Sequence, residues 1–368
     1  MAGFPFMRQA EAFRSSLPFI LLLAVFILPC PMSAAAKPRP AIAFVHQLLP
    51  PGGEPHASPA GWIGSLDRAR DTLESLRIPT IVSSASPGNA EDLNELSEMD
   101  PEVLITTSPL LYAAACDVAK RSPNTVFFAC TDETVHDNMS GFQARTYEAH
   151  YLAGLIAGAL SEDGVIGYLA NDPYQSKASR LRNANAFTLG AQKSKAAIRV
   201  LYAPGNDPDE ELKTLIAAGA DIVDLERALP SLVERLREHS VRYVGTAGRT
   251  VDPLCLAAPE WEWSNAFGDL LTQVRFGIWR PRNVSYGIKE GVVGLSPFGP
   301  AVPETVRVRV REAKEAIRNG ASPFEGPVRD VSGSLRIAEG SVPDDATLRG
   351  MDWRVQGLEP LPLTPDGR

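Results

Sequence analysis

Apolar positions along this chain follow two alternating rhythms, one of helices and one of short buried strands. Between Tyr147 and Gly158 the large residues Tyr147, Tyr151, Leu152, Leu155 and Ile156 recur at helical spacing. Ala149, Ala153, Gly154, Ala157 and Gly158 fill the positions between them, so another backbone can come close to this helix. Val165–Leu169 follows as a β-rich run bounded by Gly164 and Asn171-Asp172-Pro173, the signature of a buried strand that ends in a turn. The pair opens a second α/β series.

The first series precedes it. Strands are expected at Ala41–Val45, Ile78–Ser83, Val103–Thr107 and Thr125–Cys130, with helices from Gly61, over Ala90–Glu98 and over Leu110–Ala119. After the central helix, strands are expected at Arg199–Tyr202, Ile222–Leu225, Arg242–Gly245 and Leu254–Ala257. The helices between and after them are Ala178–Gln192, Glu210–Ala218, Ala228–His239 and about Ser264–Phe276. Short strands at Ser285–Gly287 and Val292–Leu295, a helix over Pro303–Arg318, a hairpin around Asp330–Ile337 and an apolar segment at Met351–Val355 complete the pattern. Strands alternating with helices at this interval argue for βα units on parallel sheets.

The 368 residues are enough for two domains. A net charge of -8 without a basic tract argues against nucleic acid or an anionic membrane surface as partner. The N-terminus differs in kind: Arg8 and Arg14 precede an apolar run, Leu17–Leu28, that is short for a bilayer span and is closed by Pro29 and Pro31. Ala34-Ala35-Ala36 then supplies small residues, so residues 1–36 read as an export signal cleaved after Ala36. An uncleaved anchor and a lipid on Cys30 are the alternatives; Pro29 stands where a lipoprotein signal carries a small residue. The other cysteines, 116, 130 and 255, do not form a disulfide framework, and a Cys116–Cys130 bridge stays open at this level.

Enzyme motifs are missing. There is no G-x-G-x-x-G after the first strand, no P-loop, no G-x-S-x-G and no H-E-x-x-H, and the five histidines are scattered. No nucleophile, base and orienting group assemble, and no cofactor or metal is expected. Asp132, Glu133, His136 and Asp137 read as a solvated polar loop rather than a metal shell. Binding is the stronger reading, because parallel α/β sheets hold ligands outside the carboxyl ends of their strands. Those ends carry the Gln47 loop with Trp62, the Ser108–Tyr112 segment including Tyr112, Thr131-Asp132, Asn171–Tyr174 and Thr246–Arg249. Trp261 and Trp263 flank Glu262 at a helix start; an indole offers a flat apolar face and one N–H donor, which suits a planar heterocycle.

Five stretches together resemble one family: Tyr147–Gly154; Arg182 with Asn185–Ala191; Trp261-Glu262-Trp263; Lys289–Val293 with Pro297-Phe298 and Pro300–Pro303; and Met351-Asp352-Trp353. The chain is similar, from about Ala41 to Gly357, to the basic membrane protein family of substrate-binding proteins for ABC importers, which includes purine nucleoside receptors. The resemblance implies a type I periplasmic binding protein fold, two Rossmann-like lobes joined by a hinge. The N-terminal lobe would take residues 37–146 and about 258–284, and the C-terminal lobe 147–257 and about 285–320. A C-terminal extension, 321–368, would pack on both.

It further implies that Trp62, Asp132, Arg182, Trp261, Trp263 and Lys289 lie near the cleft. Tryptophans would sandwich a base, Asp132 would accept from ring N–H or ribose hydroxyls, and Arg182 and Lys289 would donate. Gly294 would let the backbone approach the ligand. The partners implied are a nucleoside, nucleobase or similar heterocycle and ABC permease subunits, at the periplasmic or outer face of the membrane. Two departures stand out. Thr246-Ala247-Gly248-Arg249 replaces a frequent aspartate, and Ile63, Gly64 and Leu66 stand where nucleobase-binding relatives carry threonine, an aromatic and histidine. A sensor of the same fold and a nucleoside hydrolase acting through Asp132 are the competing functions.

Overall fold

A computed structural model describes residues 40–48, 61–86, 88–131, 133, 136–173, 175–245 and 252–362. Asp132, Tyr174, Cys30, the export signal, most of the Gln47 loop and Thr246–Arg249 lie outside the described residues. The described residues belong to one compact unit, Pro38–Arg368.

The first series runs β1 (Ile42–Gln47), α1 (Trp62–Ser75), β2 (Thr80–Ala85), α2 (Glu91–Ser97) and β3 (Val103–Thr106). A 3-10 turn at Pro109–Leu111 then leads into α3 (Tyr112–Ala119), β4 (Val126–Cys130) and β5 (Met139–Ala144). The second runs α4 (Tyr147–Leu160), β6 (Val165–Leu169), α5 (Lys177–Ser194), β7 (Arg199–Ala203), α6 (Pro208–Ala217), β8 (Ile222–Leu225), α7 (Pro230–Glu238), β9 (Arg242–Gly245) and β10 (Cys255–Ala257). Then follow β11 (Pro259–Trp261), α8 (Ser264–Arg275), β12 (Val284–Tyr286), β13 (Val293–Leu295) and α9 (Glu304–Arg318). Last come β14 (Val328–Arg329), β15 (Leu335–Ile337), α10 (Asp345–Arg349) and β16 (Leu358–Pro360).

Two six-stranded sheets result, ordered β12-β5-β4-β3-β1-β2 and β10-β9-β8-β6-β7-β16. Every pairing within them is parallel. The strand order reverses beside β1 in one and beside β6 in the other, where an open parallel sheet leaves a crevice. This is the two-lobed type I periplasmic binding protein architecture. Val284–Tyr286 belongs to the first sheet, alongside β5. The segment beyond 320 does more than cover the lobes, since its β16 is an edge strand of the second sheet, paired with β7.

Successive residues of β1 point to opposite faces of the first sheet. Ile42 and Phe44 enter the large core shared with α4, α5 and α8, whereas Ala43 and Val45 enter a smaller one under α2 and α3. A third core lies between the second sheet and α6 and α7. Helix α4 is buried along most of its length. Its small residues meet those of α5: an added Cβ at Gly154 would stand 2.1 Å from the Phe187 carbonyl oxygen, and one at Gly158 2.2 Å from that of Ala191. The backbones touch, as the small-residue pattern predicts.

The chain passes between lobes at three places: from β5 into α4, from β10 through β11 into α8, and from β12 to β13. Strands β11 and β13 pair antiparallel between the sheets. Helix α8 returns to the first lobe, where Phe267 packs edge-on against Phe44 and Phe128.

Candidate functional site

A cavity with about 720 Å³ of empty space, open to solvent at its mouth, lies beside these crossings. Its first-lobe wall holds Trp62, Pro109, Cys130, Thr131 and Gln143. Ala144, Thr146 and Trp261 come from the crossing segments, and Gln175, Ser176, Ser179, Arg182 and Asn183 from the second lobe.

Trp62 opens α1, and its indole N–H donates to the Thr107 carbonyl just past β3, at 2.8 Å. Trp261 lies on β11, and its N–H donates to Thr146 Oγ1 at 3.2 Å. The two rings stand nearly perpendicular, at 84°, with centroids 5.8 Å apart. With both N–H groups committed to the protein, these indoles offer a ligand apolar ring surface rather than hydrogen bonds.

Trp263 is fully buried. It stacks on Phe267 and meets Phe142 and Trp62 edge to face, each at 5.3 Å, so it supports Trp62 from behind instead of lining the cavity. Three further residues that the sequence pointed to are also absent from the lining. Tyr112 starts α3 and packs beside the core under α2 and α3, and Pro109 takes the place on the cavity wall instead. Lys289 is exposed on the turn after β12. Gly294 pairs with Glu260 within the crossing ribbon. Trp62, Arg182 and Trp261 are brought together; Asp132 lies outside the described residues, and its neighbour Thr131 is on the wall.

The second-lobe wall is built on the first turns of α5. Ser176 caps the helix by accepting from the Ser179 N–H at 3.1 Å. Arg182 is buried, with its guanidinium 5.7 Å from the Tyr147 ring centre; Nη1 donates to the Leu348 carbonyl at 3.2 Å and Nη2 to Ser179 Oγ at 3.4 Å. Asn183 sits in a chain of directed bonds. Its Nδ2 donates to Gln175 Oε1 at 2.8 Å and to Glu226 Oε1 at 3.4 Å. Gln175 in turn donates to Asp172 at 3.1 Å, and Tyr168 O–H donates to Glu226 at 2.8 Å. Behind this chain His150 Nδ1 lies 3.2 Å from Asp224 Oδ2, both buried. Burial pushes the Glu226 carboxyl up to about 7, with Asp172 and Asp224 adding to it against the pull of His150. Burial alone would lower His150, but Asp224, with Glu226 and Asp172, raises it.

Sequence reasoning missed Gln143 and Asn183. Gln143 lies on β5, a strand hidden by Ser140-Gly141. Asn183 carried a usable signal, because asparagine disfavours a helix interior unless its side chain has work elsewhere. Cys116, Cys130 and Cys255 are free thiols, so Cys116 and Cys130 are not bridged. Among the described residues no His, Cys, Asp or Glu group is arranged to hold a metal, and no helix is long and apolar enough to cross a membrane.

Residues 66–217 match the family model described as ABC transporter substrate-binding protein PnrA-like. A purine-binding protein of Brucella abortus is 28% identical over 344 residues, covering 89% of this chain and 95% of its own. A putative ABC transporter glucose-binding protein of Haloferax volcanii is 28% identical over 307 residues, 77% of this chain and 78% of its own. Among solved structures, a solute-binding protein of an ABC transporter system from Conexibacter woesei superposes with TM-score 0.60 at 17% identity, over 76% of this chain and 97% of that one. A counterpart from Aeropyrum pernix gives 0.60 at 15% identity, over 84% and 95%. These likenesses carry the fold. Over residues 66–217 the chain is similar to the Bmp, PnrA-like ABC transporter substrate-binding proteins, and the Brucella abortus relative extends that likeness to most of its length.

Proposed function

We propose that this protein works outside the cytoplasm, captures a purine nucleobase or nucleoside in the cavity beside the crossings, and delivers it to an ABC permease. The observation that carries the reading is the pairing of two indoles, Trp62 and Trp261, whose N–H groups are already committed, with a polar wall from α5. Ring surface from one side and hydrogen-bonding groups from the other suit a flat ligand with polar edges. The Brucella abortus relative, named as purine-binding, supports the same class. Closing of the lobes on the ligand would create the surface a permease recognises. No bond is made or broken in this reading.

A pyranose is the competing ligand, since the Haloferax volcanii relative is named as glucose-binding and sugars also pack on indoles. Calorimetry on ligand-stripped protein with hypoxanthine, adenine, guanosine, glucose and ribose separates the two. Binding of a purine with no heat from the sugars is expected; saturable sugar binding alone would overturn the proposal.

A further inference from the structure

We infer that Asn183 and Gln143 select the ligand, and that the ligand must present a hydrogen-bond donor to Asn183; this rests on the purine reading above. The two residues reach the cavity from different lobes, Gln143 from β5 and Asn183 from α5.

The orientation of the Asn183 amide is fixed by its partners. Nδ2 is held by the Gln175 oxygen and by the Glu226 carboxylate. The Gln175 oxygen must face Asn183, because the nitrogen of that amide donates to Asp172. Asn183 Oδ1 therefore has one role left, as an acceptor, and within the described residues nothing donates to it. Asn183 is 1% exposed and lines the cavity, so little water can reach that oxygen once a ligand fills the space. Once a ligand covers it, an acceptor left without a donor costs its full desolvation. A site of this kind accepts a ligand with N–H or O–H at that edge and rejects an isostere without it.

Gln143 complements it. Its amide makes no hydrogen bond among the described residues, and it is half-buried on the wall. One donor and one acceptor on a single planar group match the adjacent donor and acceptor on the edge of a nucleobase. Arg182 is held in place by Leu348, Ser179 and the Tyr147 ring. The two amides supply the neutral donor and acceptor groups that discriminate between purines.

The test is calorimetry on ligand-stripped protein with hypoxanthine, adenine and deaza isosteres in which a ring N–H becomes C–H. At least one isostere should bind the unmodified protein about tenfold or more weakly, and that penalty should vanish in Asn183→Leu. Gln143→Leu should weaken the preferred purine about tenfold, and Gln143→Glu should change the ranking of 6-oxo against 6-amino purines. Thermal unfolding checks that each variant is folded. Should Asn183→Leu not fold, the two Gln143 variants decide: unchanged affinity and ranking overturn the inference. An isostere penalty that persists in folded Asn183→Leu overturns it too, while purine binding itself stands. Absence of purine binding to the unmodified protein removes the purine reading, and this inference with it.

Discussion

Arg145 and Glu290 tie two of the inter-lobe crossings together, with Nη2 of the one 2.5 Å from Oε2 of the other. The same guanidinium holds Glu148 through Nε at 2.7 Å and donates to the Ser285 carbonyl at 2.7 Å. Glu148 and Glu290 then accept from the N–H groups of Ile288 and Gly287, at 2.6 and 2.7 Å. One part-buried cation thus joins the exit of β5 to the exit of β12. Burial raises the Glu148 carboxyl, and Arg145 opposes that rise. Arg145→Met should leave Glu148 buried and unpaired, at a cost of about 3–5 kcal/mol in urea unfolding. Arg145→Lys keeps the charge but cannot span both carboxylates, so its loss should be intermediate. Equal stability of Arg145→Met and the unmodified protein would refute the role.

The contact of α4 with α5 leaves no room for a side chain at Gly154, where a Cβ would meet backbone at 2.1 Å. Gly154→Ala should destabilise by about 1–3 kcal/mol, because neither helix can retreat from the core. Gly268, inside α8, has nothing within 4 Å of an added Cβ. Gly268→Ala should instead stabilise by roughly 0.5–1 kcal/mol through helix propensity. Opposite signs in thermal melts of these two variants check the packing argument; a shared sign contradicts it.

The sequence exposed the strands that are continuous and β-branched. Val165–Leu169, Ile222–Leu225 and Arg242–Gly245 fall where their apolar runs begin and end. Met139–Ala144 escaped notice because Ser140 and Gly141 break its pattern, although its neighbours supply the pairing that makes it a strand. Pro259–Trp261 and Leu358–Pro360 were also invisible; each has three residues and exists through a distant partner, β13 or β7. The same divide runs through the site. Trp261 and Arg182 stand in stretches shared with a family and could be found there, and Trp62 follows the loop past the first strand. Trp263 stands in one of those stretches too, but only packing shows that its ring is enclosed by Phe142 and Phe267. Gln143 and Asn183 become visible through what their neighbours leave unbonded, a property of the folded chain.

Asn185 fastens the C-terminal segment to α5. Its Nδ2 donates to the Trp353 carbonyl at 2.8 Å, and its Oδ1 accepts from the Val355 N–H at 3.0 Å. Asn185→Leu should strand the part-buried Trp353 carbonyl and the buried Val355 N–H and cost about 2–4 kcal/mol, at 1–3 for each group left unsatisfied, less the gain of apolar surface. Hydrogen exchange at Val355 should quicken well beyond the change in global stability. Unaltered protection there would show that the segment is held by its apolar contacts alone.

The buried group behind the cavity sets a pH dependence with a definite sign. Between 4.5 and about 7 the folded protein keeps a proton on Glu226 that the unfolded chain has released. The folded state binds more protons in that window, so unfolding free energy falls as pH rises through it. A rise of the carboxyl from 4.5 to about 7 corresponds to at most about 3 kcal/mol. His150 acts in the same sense. Its raised affinity for a proton stabilises fully below its ordinary value of 6.5, and that contribution is lost as pH climbs through the folded value above it. Asp252 and Asp330 have lowered values and act only under more acid conditions. The urea midpoint should therefore be higher at pH 5 than at pH 8. Glu226→Gln still accepts from Tyr168 and Asn183, and it should reduce the slope between pH 4.5 and 7 while leaving the parts due to His150 and to Glu148, whose carboxyl burial also raises. A midpoint that rises from pH 5 to 8, or a slope untouched by Glu226→Gln, would show that these buried groups do not hold the extra proton.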